Sequence, residues 1–440
     1  MILEDFLKQD AHYYADKTAV ICKDEQLSYS ELYARVTQRV LYWEKSHLKR
    51  RQIVTLRSSQ SIEFLVDYFA LHMVGCVVAP LERDVPDELF NQISGYLSSQ
   101  TAPEGTADVL YTTGTTGRSK GVIISHRTII ANAENLIDGQ GFSHDLAFVI
   151  NGPLNHIGSL SKIYPVILLG ATMILVDGIK NADDFFHAFS YSFEKYATFL
   201  VPASIRILIQ FSSNRLAALQ NKIDFVETGA AAISQDDMTK LCQLLPNSRL
   251  YNTYASTETG IISTYNYNDG KCAAGCLGRP MKHSQIIITP DGYIACKGET
   301  LMTGYVGEPE RTAEILKDDT IYTADLGHLD ESGMLHLSGR DDDVINIGGF
   351  KVAPLEVEDA ALSYPDIADC ICISVNHIIT GSALKLLVVM TGGVALEKRK
   401  LALFLKSKLE PYKIPMQYEQ VKEIKRTYNG KLDRKFYKTE

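Results

Sequence analysis

Between Tyr111 and Gly121 the chain reads Tyr-Thr-Thr-Gly-Thr-Thr-Gly-Arg-Ser-Lys-Gly. Glycines let a backbone approach a ligand closely and present its N–H groups. Gly114 and Gly117 fill that part here, Thr112, Thr113, Thr115 and Thr116 add hydroxyls, and Lys120 adds a point charge. Such a loop suits a polyphosphate. It is not the Walker-type loop of the phosphate-loop NTPases, because Gly121 follows Lys120 where that motif needs Ser or Thr. The plain alternative is a polar surface turn. A run this rich in Thr and Gly, ending in Lys-Gly after the apolar Val109–Leu110, weighs against it.

Four further segments carry groups with chemistry. Tyr251-Asn-Thr-Tyr-Ala-Ser-Thr-Glu258 sets two aromatics, hydroxyls and a carboxylate side by side. An aromatic can stack on a base, a Thr can bind a phosphate oxygen and a Glu can hold Mg2+. Tyr322-Thr-Ala-Asp-Leu-Gly327 places Asp325 just before a turn. Gly339-Arg-Asp-Asp-Asp-Val-Ile345 is a charged turn, and Tyr428-Asn-Gly-Lys-Leu-Asp-Arg434 lies near the C-terminus.

The elements around these segments alternate. SYSELYARVTQRVLYWEK opens with Ser28 or Ser30 as an N-cap and has apolar residues at helical spacing. RQIVTLRSS reads as a buried strand, SIEFLVDYFALHMVG as a helix ending at Gly75, and CVVAPL as another strand. The alternation continues through TMILVDG, TFLVPAS and KIDFVETGA, which predicts βαβ units and parallel sheets. Composition shifts near residue 340, and a compact unit with two strands and a helix follows. The expectation is a multidomain α/β protein. A large body of parallel-sheet α/β subdomains spans 1–341, and a small C-terminal α+β lid spans 342–440.

Bulk properties exclude several function classes. At 440 residues the chain exceeds one ordinary core. A net charge of -9 argues against a nucleic-acid partner, which needs a basic face. MILEDFLKQDAHYYADK lacks the basic start and apolar run of a signal peptide, and the apolar runs are too short for membrane insertion. Cys272/Cys276 and Cys370/Cys372 lack zinc-site spacing and His partners, and Cys370 with Cys372 reads as one face of a buried strand. A reducing, cytoplasmic setting is the default.

Taken together and in this order, the five segments resemble the signature motifs of the superfamily of adenylate-forming enzymes, which includes acyl-CoA synthetases, peptide-synthetase adenylation domains and beetle luciferases. The resemblance runs from about Ser28 to Arg434. It implies ATP as substrate, with the Thr112–Lys120 loop around its β- and γ-phosphates. It places Gly229, Ala230 and Ala231 along the adenine pocket, with Asn252 nearby and Tyr254 stacked on the base. Thr257 would bind the α-phosphate and Glu258 the Mg2+, while Asp325 would take the ribose hydroxyls with Arg340 beside it. Asp342 would be the hinge between the domains. Lys431 would be the catalytic lysine, its plain alternative being a solvated lysine in a basic tail. Gly348, Gly349 and Phe350 would line a tunnel for the pantetheine thiol of coenzyme A, unless Gly348–Gly349 is only a hairpin turn.

The acid is read from Gly152-Pro-Leu-Asn-His-Ile-Gly158, similar to the proline-aromatic-His segment of acyl- and aryl-CoA synthetases with Asn155 for the aromatic. No acidic residue lies in that segment, which weighs against an α-amino acid. The resemblance also gives Gly229 to the acid pocket, and His156 either lines that pocket or is a packed histidine. Ala255 stands where the family usually has Gly, which narrows the pocket floor and favours a small or aromatic carboxylic acid. Only about 110 residues precede the phosphate loop, so Leu81–Thr106 reads as a shortened connection. The expected reaction is ATP-dependent acyl-adenylate formation, then transfer to coenzyme A. The alternatives are loading of a phosphopantetheine on an acyl or peptidyl carrier protein, or an inactive nucleotide-binding regulator. Lys120, Thr257, Glu258, Asp325 and Lys431 together weigh against the regulator, and nothing points to a light-emitting relative.

Overall fold

Strands that are apolar on both faces can be satisfied only inside a layered structure. The computed structural model, which describes residues 1–112, 120–179, 181–340, 343–347, 350–377, 381–427 and 432–438, shows how the chain layers them. Arg249–Ser256, Ile223–Thr228, Lys195–Leu200, Leu146–Ile150, Thr172–Leu175 and Thr18–Cys22 lie side by side in parallel. Leu146–Ile150 and Thr172–Leu175 are buried along their whole length. Antiparallel strands Glu25–Ser28 and Gly260–Asn266 close the two edges of this parallel core.

A second sheet runs in the order Gly304–Tyr305, Lys120–Ser125, Thr106–Thr112, Val77–Leu81, Ile53–Arg57. Its helix Ile62–Met73 begins where Ser61 accepts a hydrogen bond from the Phe64 N–H. Helix Tyr29–Lys45 opens with the capping box of Ser28 and Glu31, so Ser28 is the cap. The stretch Leu81–Thr106 is more than a shortened connection. It holds helix Asp87–Ser98, which covers the sheet with the buried Leu97 and bonds it through Ser94 and Thr55, 2.8 Å between hydroxyls. Asp87 in its first turn pairs with Arg57 at 2.6 Å, and the acidic start of Asp87 and Glu88 hides a helix that an eye for apolar spacing misses.

The body is not wholly parallel. Cys276–Pro280, Leu335–Arg340, Thr320–Leu329, Tyr293–Gly298 and Ser284–Ile288 form a run of antiparallel pairs extending the main sheet. Beyond it, strands Ile367–His377 and Gly381–Met390 pair antiparallel, with Gln417–Gln420 parallel at the edge. Helices Pro354–Leu362 and Lys398–Lys406 bury Val357, Ala361, Leu401 and Leu405 on that sheet, and Cys370 and Cys372 sit in the same core. All eight cysteines are free thiols. The small unit meets the body through Arg206, whose guanidinium is 2.8 Å from Asp237 on the body and 3.1 Å from Asp369 on the small sheet. Arg426 grips the same Asp369 at 2.7 Å. Among the described residues no helix is long and apolar enough to cross a membrane.

Candidate active site

Parallel strands put their carboxyl ends on one edge of the sheet, and crevices there are where α/β proteins bind ligands. Leu200, Thr228 and Asn252 are register partners across three neighbouring strands. The residues just past them, Gly229, Ala230 and Tyr254 to Glu258, therefore share that edge. Asn252 is buried and donates its amide to the Cys276 carbonyl at 3.0 Å. Gly229 is buried, and a Cβ there would stand 3.1 Å from the Thr253 carbonyl. Ala230 takes a left-handed φ of 68°, and Ala231 is exposed.

Thr257 and Glu258 ride the tip of a hairpin between Arg249–Ser256 and Gly260–Asn266. Ser256 and Thr259 lock that tip: each side-chain oxygen accepts from the other's backbone N–H, at 3.0 and 3.2 Å. Gly260 completes the turn with φ +69°, where a Cβ would meet the Thr300 carbonyl at 2.5 Å. Ala255 sits at a shift in the strand register, a bulge that re-aims the residues after it. The Glu258 carboxylate accepts a hydrogen bond from the Tyr305 hydroxyl at 2.9 Å. Lys120, on the strand leaving the phosphate loop, points its ammonium at the same hydroxyl at 3.5 Å and lies 5.0 Å from the ring centre. Burial and then the nearby Glu258 push the Tyr305 phenol up, so it stays a neutral donor. Burial lowers the Lys120 ammonium, and Arg311 lowers it further.

Asp325 and Arg340 are register partners on adjacent antiparallel strands. Arg340 approaches Asp325 at 3.3 Å, and the Tyr254 hydroxyl donates to the other carboxylate oxygen at 2.7 Å. Burial and then Asp325 raise the Tyr254 phenol, which keeps its proton in that bond.

On the other side of Gly229 stands Phe199. Its ring edge would lie 3.5 Å from a Cβ at Gly229 and 3.1 Å from one at Gly158, so the ring fits between two glycines. His156, half-buried, precedes the short helix Ile157–Leu160. Asn155 accepts from the Ser58 hydroxyl at 3.1 Å. Behind the ring, Lys162 is 5.3 Å from its centre and 2.7 Å from Glu227, with the two side chains 1% and 2% exposed. Burial lowers the Lys162 ammonium against the pull of Glu227. The carboxylate missing from the Gly152–Gly158 segment is thus supplied by a neighbouring strand, already neutralised by a lysine.

Family models decide what this arrangement belongs to. One described as AMP-binding enzyme matches residues 7–95 and 90–306, and one described as AMP-binding enzyme C-terminal domain matches 356–431. The chain belongs to the AMP-binding enzyme family. Its relatives include an indoleacetate–CoA ligase of Aromatoleum aromaticum, 26% identical over 98% of this chain and 96% of that protein. A 2-succinylbenzoate–CoA ligase of Bacillus cereus is 24% identical over 98% of each. A long-chain-fatty-acid–CoA ligase of Bacillus subtilis is 28% identical over 76% of this chain, which spans 61% of that protein's length. ATP-bound MatB from Rhodopseudomonas palustris has the same fold, with a TM-score of 0.88 at 23% identity over 100% of this chain and 99% of that one.

In this AMP-binding enzyme several sequence-predicted site residues lie outside the described residues: Thr113, Gly114, Thr115, Thr116 and Gly117 of the loop, Asp342, Gly348, Gly349 and Lys431. Their flanks are placed. Thr112 pairs with Lys120 across antiparallel strands, so the loop leads into a strand and not into a helix. Ile347 pairs with Phe350, and Arg426 bridges to Leu432. Asp343 holds Arg434 at 3.2 Å, and the same guanidinium pairs with the buried Glu358 at 2.7 Å. Sequence reasoning missed Ser256, Thr259, Gly260, Tyr305, Phe199 and the Lys162–Glu227 pair. For Ser256 to Gly260 a signal existed, since Ser-x-x-Thr-Gly is turn chemistry. Tyr305, Phe199 and Lys162 act across large sequence separations and left none.

Proposed function

We propose that the chain joins a carboxylic acid to the α-phosphate of ATP, releasing pyrophosphate, and then passes the acyl group to the thiol of coenzyme A. One carboxylate oxygen of the acid attacks the α-phosphorus as the bond to pyrophosphate breaks. In the second step the thiol sulfur attacks the acyl carbon and AMP leaves. Negative charge grows on phosphate oxygens in the first step, so the protein's task is positioning and charge stabilisation. The observation that carries the reading is the Lys120–Tyr305–Glu258 chain, which sets a cation and a carboxylate on either side of one hydroxyl at the mouth of the phosphate loop. Oxygen donors suit Mg2+, and the Glu258 carboxylate on its braced hairpin tip, with Thr257 beside it, fits that ion. When bound, Mg2+ supplies charge to the phosphates. Tyr254, Asp325 and Arg340 hold the nucleoside, and Lys431 reaches the α-phosphate from the C-terminal unit, with Asp342 as the hinge that brings it in.

Phe199 wedged between Gly158 and Gly229, closed behind by Lys162–Glu227, supports a short, flat pocket and so a small or aromatic acid. A phosphopantetheine on a carrier protein is the other acceptor compatible with this chemistry. Mass spectrometry with ATP, Mg2+ and a panel of acids tests the reading. Acyl-AMP without coenzyme A, converting to acyl-CoA with it, is the expected result. Acyl-AMP that persists beside coenzyme A would shift the assignment to a carrier thiol. No adenylate from aromatic, short-chain or long-chain acids would overturn it.

A further inference from the structure

Four ionisable side chains that the proposed reaction does not use converge next to the strand leading into the phosphate loop. They are Glu4 on helix Leu3–Tyr13, His72 on helix Ile62–Met73, Asp108 on strand Thr106–Thr112, and His126 at the start of helix His126–Gln140. Glu4 and His72 are each 3% exposed and Asp108 is fully buried. His72 Nδ1 lies 2.8 Å from Glu4 Oε1, while its Nε2 lies 3.2 Å from the Ala107 carbonyl and 3.3 Å from Asp108 Oδ1. The Tyr68 hydroxyl donates to Asp108 Oδ2 at 2.9 Å. The His126 ring stands 5.1 Å from that of His72, nearly perpendicular to it. In this cluster Glu4 Oε2, Asp108 Oδ1 and His126 Nδ1 are buried with no hydrogen-bond partner among the described residues. An orphaned buried polar atom costs about 1–3 kcal/mol, so three in one cluster call for a ligand. Glu4, His72 and His126 each offer one ligand atom within 4.8 Å of the others.

We propose that Glu4, His72 and His126 form a binding site for one divalent ion of the zinc class. Two imidazoles and a carboxylate are the donors zinc takes, whereas Mg2+ and Ca2+ prefer oxygen alone. Bonds of about 2.0–2.2 Å require the three atoms to draw together, which turning the Glu4 and His126 side chains accomplishes. His72 is already held as a metal ligand is: the ring nitrogen away from Glu4 faces a carboxylate and a backbone carbonyl, the usual outer partners that fix a ligating imidazole. Charge balance agrees, because Glu4 and Asp108 together bring two negative charges into a buried site and one divalent cation cancels both. The ion would tie the N-terminal helix to the base of the strand that ends at Thr112.

The test strips the full chain with a chelator, adds excess Zn2+ or Co2+, removes free metal by gel filtration and measures bound metal by mass spectrometry. One ion retained per chain, a low-coordinate Co2+ visible spectrum and a zinc-dependent rise in Tm of about 5–10 °C at saturation are expected. His126→Gln and Glu4→Gln should abolish retention, and Asp108→Asn should weaken it by about 10- to 100-fold. A wild-type chain that keeps no ion overturns the proposal whatever the variants do. So does retention unchanged in both His126→Gln and Glu4→Gln, which would leave His72 as an imidazolium held between two carboxylates.

Discussion

Two parts of the candidate site use charge in opposite ways. On the side proposed to hold the nucleotide, the charged groups have provisional partners: Asp325 shares its oxygens between a phenol and Arg340, which is 45% exposed, and Glu258 is met by a neutral hydroxyl. Such partners can be given up to a ribose, a phosphate or a cation at little cost, because water and ligand compensate. On the side proposed to hold the acid, the Lys162–Glu227 ion pair is sealed, both side chains nearly inaccessible, and in front of it stands a ring between two glycines. A sealed pair offers nothing to a ligand, and its charges cannot be separated cheaply. Under the proposed function, the difference teaches that one side would read charge and the other shape.

The largest effect that sharpens this contrast is in stability. Lys162→Met leaves Glu227 buried and unpaired, and should cost about 3–5 kcal/mol, read as a lower denaturation midpoint at unchanged slope. Replacing both residues, Lys162→Met with Glu227→Leu, should restore most of that loss. If the single variant were as stable as the parent, the pair would be more hydrated than its burial shows and the sealed-side reading would fail. Next comes Lys431→Ala, which should slow adenylate formation by about 10²–10³-fold while sparing transfer from a supplied acyl-adenylate. Single-turnover assays of the two half-reactions separate the steps, and equal losses in both would remove Lys431 from the first. Gly349 replaced by a bulky residue should do the reverse, blocking transfer and leaving pyrophosphate release intact.

The same contrast explains what could be read from the chain. The side proposed to hold the nucleotide is built from contiguous motifs, because phosphate and ribose need hydroxyls, glycines and carboxylates at fixed backbone offsets. Thr257, Glu258, Asp325 and Arg340 could be named from the sequence for that reason, and the structure puts Arg340 beside Asp325 and Tyr305 against Glu258. Parallel strands such as Thr172–Leu175 declared themselves by apolar runs, while the choice between Ser28 and Ser30 as the cap stayed open until the structure showed the box with Glu31. On the acid side the Gly152–Gly158 segment and Gly229 could be named from the sequence, but Phe199 and the Lys162–Glu227 pair could not, since the three segments that hold these residues meet only in the fold. Helix Asp87–Ser98 escaped notice because most of it is solvent-facing and only Leu97 is buried. Tyr305 looked like any tyrosine after a glycine until the short strand Gly304–Tyr305 paired with Lys120–Ser125.

Tyr305 supplies the next prediction. Tyr305→Phe keeps the ring beneath Lys120 and deletes the hydroxyl that joins it to Glu258. A hydrogen bond to a charged group contributes about 1.5–3 kcal/mol, and the ligand's own charges recover part of it. Adenylate formation should therefore fall by about tenfold, with the choice among acids unchanged, because the residue belongs to the side that reads charge. A changed acid preference would break the division between the two sides.

The smallest expected effect lies where the small unit meets the body. Arg206 reaches Asp237 on one side and Asp369 on the other, and Asp369 keeps Arg426 when Arg206 is removed. Arg206→Ala leaves the small unit's own ion pair whole but strands Asp237, which is 4% exposed. Leaving a buried partner unsatisfied costs about 1–3 kcal/mol, toward the low end here because Arg206 is itself 20% exposed. The denaturation midpoint should fall by that amount at unchanged slope. Asp237→Asn combined with Arg206→Ala removes the stranded charge and should recover part of the loss. No recovery would mean that the loss comes from the link between the two units and not from the unpaired Asp237.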